Sequence, residues 1–396
     1  MAIESSDDNA GSGQARNARI RLGMVGGGRD AFIGGVHRIA ARMDDHYELI
    51  AGAFSSTAEK SKASAADLGI DAKRAYASYE EMADAEASRS DGIEAVSIVT
   101  PNHLHYRVAK AFLEKGIHVI CDKPLTSTVA DAQSLKSVCE ASNALFVLTH
   151  NYTGYPVVRQ ARAMVANGDL GKLRLVQVEY VQDWLSEDLE STGQKQAAWR
   201  TDPDKTGAGG AIGDIGTHAY NLASFISGLT LTSLCADLDS FVSGRRVDDN
   251  AHVMMRFDGG AKGLLWASQV APGNENALSV RIYGSKGGLE WTQEDPNYLW
   301  FTALGQPRQL ITRGGAGADG ASARVSRIPP GHPEGYLEGF ANIYSEAALA
   351  INAHKGGGSL PADVHYPTID DGVDGVRFIA GCVESSAQGG IWINMR

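Results

Sequence analysis

Residues 20–34 read IRLGMVGGGRDAFIG: an apolar, partly β-branched run that ends in three glycines and passes into a helical pattern. A buried strand running straight into such a turn is where a dinucleotide fingerprint belongs. Glycines permit the tight turn and let backbone N–H groups approach a pyrophosphate at a helix N-terminus. Gly26 and Gly28 take the first two positions. The third is either Ala31 or Gly34, the latter with three inserted residues. An ordinary βα turn has the same composition, so the residues beyond the turn must separate the two readings.

Those residues alternate. Short aliphatic runs at 48–54, 94–100, 117–121 and 145–149 read as further strands, with helical patterns between them at 35–44, 58–68, 104–114 and 129–141. Strands that alternate with helices form a parallel sheet covered on both faces. After about residue 150 the rhythm changes. A helix at 156–167 ends in Asn167-Gly168, a long alternating strand spans 173–183, and strands from 230 to 300 are joined by turns such as Asp258-Gly259-Gly260. Hairpin connections of this kind predict an open, mainly antiparallel sheet. Two late helices, 336–353 and 369–386, are expected on one face of it, and 313–321 reads as a flexible glycine-rich loop. The predicted organisation is therefore a flexible arm at 1–18, a doubly wound α/β domain with a candidate dinucleotide site at 19–150, and a second α/β domain with a large open sheet at 151–396.

Composition sets outer bounds. At about 150 residues per domain, 396 residues make two or three domains, enough to bury a core without disulfides or metal. The formal net charge of −11 argues against nucleic acid or anionic lipid as the main partner. No run approaches the 18 or so apolar residues of a spanning helix. Four scattered cysteines without a CxxC pair, and an N-terminus lacking an apolar export core, point to the cytoplasm.

The candidate chemistry sits at strand ends. The second strand ends in Phe54-Ser55-Ser56-Thr57-Ala58-Glu59-Lys60, with no carboxylate for a ribose 2′-hydroxyl. Ser55, Ser56 and Lys60 suit a 2′-phosphate, which leans the reading to NADP over NAD; a capping box from Ser56 to Glu59 would use the same residues. The strand at 94–100 ends in Thr100-Pro101-Asn102-His103-Leu104-His105, with Asn102 placed to cap the next helix. The strand at 117–121 ends in Cys121-Asp122-Lys123-Pro124. A lysine at such a mouth, partly desolvated and near a nicotinamide cation, would have a lowered pKa. Further on, GAGGAIGDIGTH (207–218) puts Asp214 and His218 at i and i+4 of a helix, where the carboxylate can orient an imidazole that titrates near neutral pH. A metal centre is not expected, since His103-x-His105 lacks a third ligand.

In this order and spacing, the glycine turn, the TPN-x-x-H loop, the CDKP strand end and the GG-x-x-x-D-x-G-x-H helix resemble the Gfo/Idh/MocA oxidoreductases, over nearly the whole chain from residue 19. The resemblance implies that 19–150 is a Rossmann dinucleotide-binding domain and 151–396 a C-terminal substrate-binding and oligomerisation domain, with Lys123, Asp214 and His218 as catalytic residues and Asp122 in place of the family's usual Glu. It implies cofactor contacts from Gly26, Gly28, Gly34, Ser55, Ser56, Lys60, Thr100, Pro101, Asn102, His105, Asp122 and Lys123. The activity implied is reversible hydride transfer between nicotinamide and a secondary hydroxyl of a sugar, sugar derivative or cyclitol. Tyr152, Asp183, Trp199 and Arg200 join the three catalytic residues as candidates for holding such a substrate. Two other readings stay open: a non-catalytic sensor of the same fold, and a redox-assisted glycosidase with tightly held NAD. An open C-terminal sheet would need cover, so a homodimer or homotetramer through that sheet is expected.

Overall fold

The structure, a computed structural model, describes residues 18–29 and 31–396. All but the last residue of the expected arm lies outside that range. The N-terminal layer is a five-stranded sheet of β1 (Ile20–Gly26), β2 (Tyr47–Ala53), β3 (Ala95–Val99), β4 (His118–Cys121) and β5 (Phe146–Leu148). Every pairing is parallel and the order is β2-β1-β3-β4-β5. Helices α1 (Phe32–Met43), α2 (Ala58–Asp67), α3 (Tyr79–Ala87), α4 (His105–Leu113) and α5 (Val129–Ala141) connect the strands. The strand order reverses between β1 and β3, and such a switch point opens a crevice at the carboxyl ends. The glycine turn after β1 and the Thr100-Pro101-Asn102 loop after β3 flank it.

Helix α3 is absent from the sequence expectation because its apolar stripe is thin. Its buried face is Met82, Ala83 and Glu86, and it forms because Ser78 caps the Glu81 amide and Arg74 pairs with the buried Glu86 carboxylate. Two expected caps do not form. Thr57, not Ser56, is the N-cap of α2 and makes no side-chain cap bond. The Asn102 amide reaches across to Thr206 O at 3.3 Å, because Pro101 starts the short 3₁₀ turn (Asn102–Leu104) that precedes α4.

The second layer is a nine-stranded sheet: β6 (Leu173–Val181), β7 (Leu231–Asp239), β8 (Asn250–Phe257), β9 (Lys262–Ser268), β10 (Ala277–Gly284), β11 (Gly287–Thr292), β12 (Tyr298–Ala303), β13 (Gln309–Thr312) and β14 (Ile393–Asn394). The order is β13-β12-β11-β10-β6-β9-β8-β7-β14, antiparallel except where β6 and β9 run side by side. Alternation puts Val176, Val178, Val253, Met255, Leu265, Val280 and Ile282 on the inner face. There they pack under α6 (Pro156–Ala166), α9 (Thr217–Ser227) and α12 (Ile369–Ala387). Short helices α7 (Lys195–Arg200), α8 (Pro203–Thr206) and α10 (Gly320–Ala323) lie in the connections.

Helix α11 (Tyr336–Gly356) corrects the expectation that both late helices cover the second sheet. Its Phe340, Ile343, Tyr344, Ala347 and Ile351 pack with Ile20, Leu22, Val36 and Ala95 of the first sheet and α1. The chain therefore returns to the N-terminal layer after leaving it, and a cut at residue 150 separates α11 from its core. Helix α12 does reach the second sheet through Phe378, Ile379 and Cys382, but its first turns, Ile369, Val373 and Val376, pack on the N-terminal layer. The 313–321 segment is not a free loop. Buried Arg313 donates to Ile328 O at 2.8 Å and Pro329 O at 3.1 Å, Gln160 holds Gly317 O, and α10 begins at Gly320.

Candidate active site

The glycine turn is built by close backbone approach. Gly26 and Gly27 have φ of 78° and 66°, the left-handed region that side chains disfavour. A Cβ on Gly28 would come within 2.7 Å of Phe54 O, and one on Gly34 within 2.4 Å of Gly27 O. Gly34, not Ala31, is thus the residue that lets α1 press on the turn. Arg38 of α1 secures it, with Nη1 donating to Gly27 O at 2.5 Å. Thr100 Oγ1, across the crevice, is buried and has no hydrogen-bond partner among the described residues. An open backbone cradle beside an orphaned hydroxyl fits a dinucleotide. Ser55 is half-buried and Ser56 and Lys60 are exposed beyond β2.

His105 is corrected from cofactor contact to structural tie. It is fully buried, with Nδ1 2.8 Å from Pro124 O and Nε2 2.9 Å from Thr100 O, so both ring nitrogens face the backbone of the two loops that bracket the crevice and the neutral ring donates to one of the two carbonyls. Asp122 is likewise turned inward. Its Oδ1 accepts from the Lys123 amide at 3.0 Å and Thr149 Oγ1 at 3.1 Å. Burial opposes its charge, but His37 and Lys123 hold the carboxyl below its usual range.

Lys123 emerges at the carboxyl end of β4 and reaches the second layer. Its Nζ donates to Asp214 O at 2.5 Å and Asp214 Oδ1 at 3.0 Å. Asp214 Oδ2 accepts from Arg200 Nε at 3.1 Å and Gln269 Nε2 at 3.0 Å. Burial works against this carboxylate, yet the Lys123 and Arg200 charges hold it well below the usual range, so it stays ionised.

The helix carrying Asp214 opens with a π turn, Ile212–Gly216, before α9 begins at Thr217. Such turns recur at functional sites. This one is pinned by buried Asp248, which accepts from the Gly210 amide at 2.6 Å and the Ile212 amide at 2.8 Å. Burial pushes the Asp248 carboxyl up to about 6 despite those bonds. The wider turn and the three donors claiming Asp214 explain a second correction: among the described residues, no hydrogen bond joins Asp214 to His218. The expected orienting pair is not formed, and Asp214 orients Lys123 instead.

His218 is also not the near-neutral titrator expected. It is 8% exposed, and burial, the Lys123 charge and the nearby His150 push its pKa well below 6.5, leaving a neutral imidazole. Tyr152 at 5.0 Å and His150 at 5.4 Å wall it in edge-on, and its Nδ1 is enclosed without a partner. Tyr152 and Arg200 of the predicted substrate set therefore join the cluster. Trp199 stacks on the Arg200 guanidinium at 4.3 Å and so supports it. Asp183 does not join: its Oδ2 accepts from the Gly273 amide at 3.0 Å in an exposed turn.

Sequence reasoning did not single out His150, which packs on His218, Gln269, which holds Asp214, or Tyr180, Gln182 and Asn276, which are hydrogen-bonded together nearby. His150 comes two residues after β5, and the strand-end rule that singled out Lys123 would have found it. The other four stand in or beside strands of the second sheet, where no motif marks them.

Known proteins share this architecture. The model of the oxidoreductase family's NAD-binding Rossmann fold, GFO_IDH_MocA, matches residues 20–150. The GFO/IDH/MocA C-terminal domain model matches residues 158–290. An uncharacterized oxidoreductase, YfiI of Bacillus subtilis, is 38% identical over 95% of this chain and 97% of its own length. The crystal structure of an oxidoreductase from Sinorhizobium meliloti is 64% identical, covers 95% of this chain and 99% of its own, and superposes with a TM-score of 0.87. An inositol dehydrogenase homolog from Azotobacter vinelandii, complexed with NADH and myo-inositol, is 38% identical with a TM-score of 0.89, covering 96% of this chain and 98% of its own.

Proposed function

The chain belongs to the Gfo/Idh/MocA oxidoreductases, and from that premise we propose that it oxidises a secondary hydroxyl of a cyclitol or sugar with NAD(P), using Lys123, Asp214 and His218. One observation carries the reading: a lysine held by an ionised aspartate stands beside a buried, neutral histidine at the mouth of a dinucleotide cradle. The Azotobacter homolog, 38% identical and complexed with NADH and myo-inositol, supports the choice of substrate class.

The glycine turn (Gly26, Gly28, Gly34), Ser55, Ser56, Lys60, Thr100, Pro101 and Asn102 would hold the cofactor. When bound, it supplies the hydride acceptor. His218, neutral and with Nδ1 enclosed, takes the hydroxyl proton at Nε2 as the carbinol becomes a carbonyl. Lys123 holds and polarises the same oxygen through Nζ. Asp214 fixes the direction of Lys123, and Arg200 and Gln269 fix Asp214.

The NADP lean rests on the absence of a carboxylate at the tip of β2 and on the exposure of Ser56 and Lys60. Oligomerisation rests on the outer sheet face. Leu175, Met254 and Leu264 are about half exposed there, at 53%, 47% and 54%, beside a groove of about 600 Å³ that lies across the sheet from Lys123. A second copy of the same face is the proposed cover. A cytoplasmic location rests on four free thiols. Among the described residues no helix is long and apolar enough to cross a membrane.

Fluorescence titration with NADPH and NADH, combined with turnover of myo-inositol, D-glucose and D-xylose, tests the reading. Tight binding with turnover of at least one polyol is expected, and binding of neither nucleotide overturns it. Ser55→Asp should move the preference toward NADH; an unchanged ratio removes the argument from the tip of β2.

A further inference from the structure

We propose that Tyr152 is a specificity-determining residue whose phenol oxygen is fixed as an acceptor by a one-way hydrogen-bond chain from Trp184, and so selects a polyol with a second hydroxyl beside the one oxidised. The proposal rests on the dehydrogenase reading above and adds the polarity of the side chain that packs on His218.

The direction of the chain is set by what each group is able to donate. An indole N–H donates and never accepts. Trp184 Nε1 lies 3.0 Å from the Gln182 side chain, so the atom it meets is Oε1. Gln182 must then present Nε2 to its next neighbour, Asn276, at 2.8 Å, and the Asn276 atom receiving it is Oδ1. The same Oδ1 lies 2.9 Å from the Tyr180 hydroxyl, which therefore donates to it. Tyr180 and Tyr152 hydroxyls are 2.6 Å apart. With the Tyr180 proton committed to Asn276, the proton between the two phenols belongs to Tyr152.

Two flanking bonds agree with the same orientation. Asn276 Nδ2 donates to Gln293 Oε1 at 2.9 Å, so its amide does not flip freely. Gln269 must aim Nε2 at the ionised Asp214, which only accepts, and that nitrogen also approaches Gln182 Oε1 at 3.4 Å. The chain is anchored at one end by a group that only donates and at its side by a group that only accepts. No member is free to reverse without leaving two donors or two acceptors face to face, which is costly in a buried network.

The consequence falls on Tyr152. Its proton is directed away to Tyr180, and only lone pairs remain on its oxygen. The ring packs edge-on against His218 at 5.0 Å, next to the base that takes the reacting proton. A neighbouring substrate hydroxyl can donate there; a fluorine, methoxyl or carbonyl in its place meets a second acceptor.

Deoxy and deoxyfluoro analogues separate these cases, because fluorine accepts weakly and never donates. For whichever of myo-inositol and D-glucose is turned over, kcat/KM is compared across the parent, its monodeoxy and its monodeoxyfluoro derivatives. At one position next to the oxidised carbon, both derivatives should lose roughly 10-fold, the scale of one net hydrogen bond, with the fluoro compound no better than the deoxy. Tyr152→Phe should erase the difference from the parent. Trp184→Phe, which removes the anchor and leaves Gln182 Oε1 held only by the 3.4 Å contact from Gln269, should narrow it. A fluoro analogue clearly better than the deoxy one, or discrimination unchanged in both variants, overturns the proposal. Neutron diffraction of the deuterated enzyme decides the chain even without a substrate. Deuterium on Tyr152 pointing to Tyr180 supports it, and the reverse direction refutes it. Failure to turn over any polyol counts against the dehydrogenase reading, while the neutron map still judges the chain.

Discussion

Lys123 Nζ is held by Asp214 at two points, its carbonyl oxygen at 2.5 Å and its carboxylate Oδ1 at 3.0 Å, although the two residues stand 91 positions apart in different layers. The contact joins the strand end that faces the cofactor crevice to the helix that carries His218. The geometry of the proposed site and the packing of the two layers are therefore one constraint.

Replacing Lys123 by alanine should cost roughly 10²–10⁴-fold in kcat, the usual contribution of one positioned acid–base group. The glycine turn lies on other elements, so NADH affinity should stay within a few-fold. Stopped-flow turnover and fluorescence titration on the same preparation separate the two. An unchanged kcat would remove Lys123 from the chemistry.

The acid limb of kcat/KM should fall below pH 6.5. Burial, with Lys123 and His150 adding to it, depresses the His218 pKa, so the base stays unprotonated well under the value of a free histidine. A pH–rate profile for the free enzyme measures this directly. A limb at or above 6.5 would assign the base elsewhere.

Stability should decline as pH drops from about 6 to 4. Burial lowers His150 to about 3 and His118 to about 4, so in this window the unfolded chain binds two protons that the folded chain refuses. Each such group removes about 1.4 kcal/mol per pH unit. Asp248 works the other way. Raised to about 6, it binds a proton in the folded state before the unfolded one does and offsets one histidine. The net loss is about 1.4 kcal/mol per unit from these three. Urea melts at pH 6, 5 and 4 check the sign, and Asp248→Asn should steepen the decline.

Gly34→Ala should destabilise the protein by about 1–3 kcal/mol, the cost of overpacking a rigid contact. The new Cβ would stand 2.4 Å from Gly27 O and 2.5 Å from Gly27 Cα, both backbone atoms that move only with the turn. Nucleotide affinity should fall with it. Gly35→Ala is the internal control, because nothing lies within 4 Å of its Cβ and alanine favours the helix by up to about 1 kcal/mol. Equal thermal shifts for the two variants would mean that the turn tolerates displacement.

Local pattern is enough to read the five parallel strands, the glycine turn and the candidates Lys123, Asp214 and His218, because strand ends, turns and helix starts are written in neighbouring residues. It is also enough for the alternation of β8, where Ala251, Val253, Met255 and Phe257 are buried and His252, Met254 and Arg256 are not. Tertiary structure alone decides which side chains meet. Spacing pairs Asp214 with His218, but three donors from other elements outcompete the imidazole for that carboxylate. His105 reads locally as a ligand contact, whereas in the fold both its nitrogens face backbone carbonyls of the bracketing loops. Helix α11 carries an apolar stripe that suits either sheet, and its packing on β1 and α1 is fixed by Tyr344, which meets His37 and Ser97 in a buried hydrogen-bonded cluster. Sequence determines which groups each element is able to present. Which partner satisfies a buried donor or acceptor is settled only when distant segments compete for it, since every buried polar atom left unpaired costs free energy that no local preference can recover.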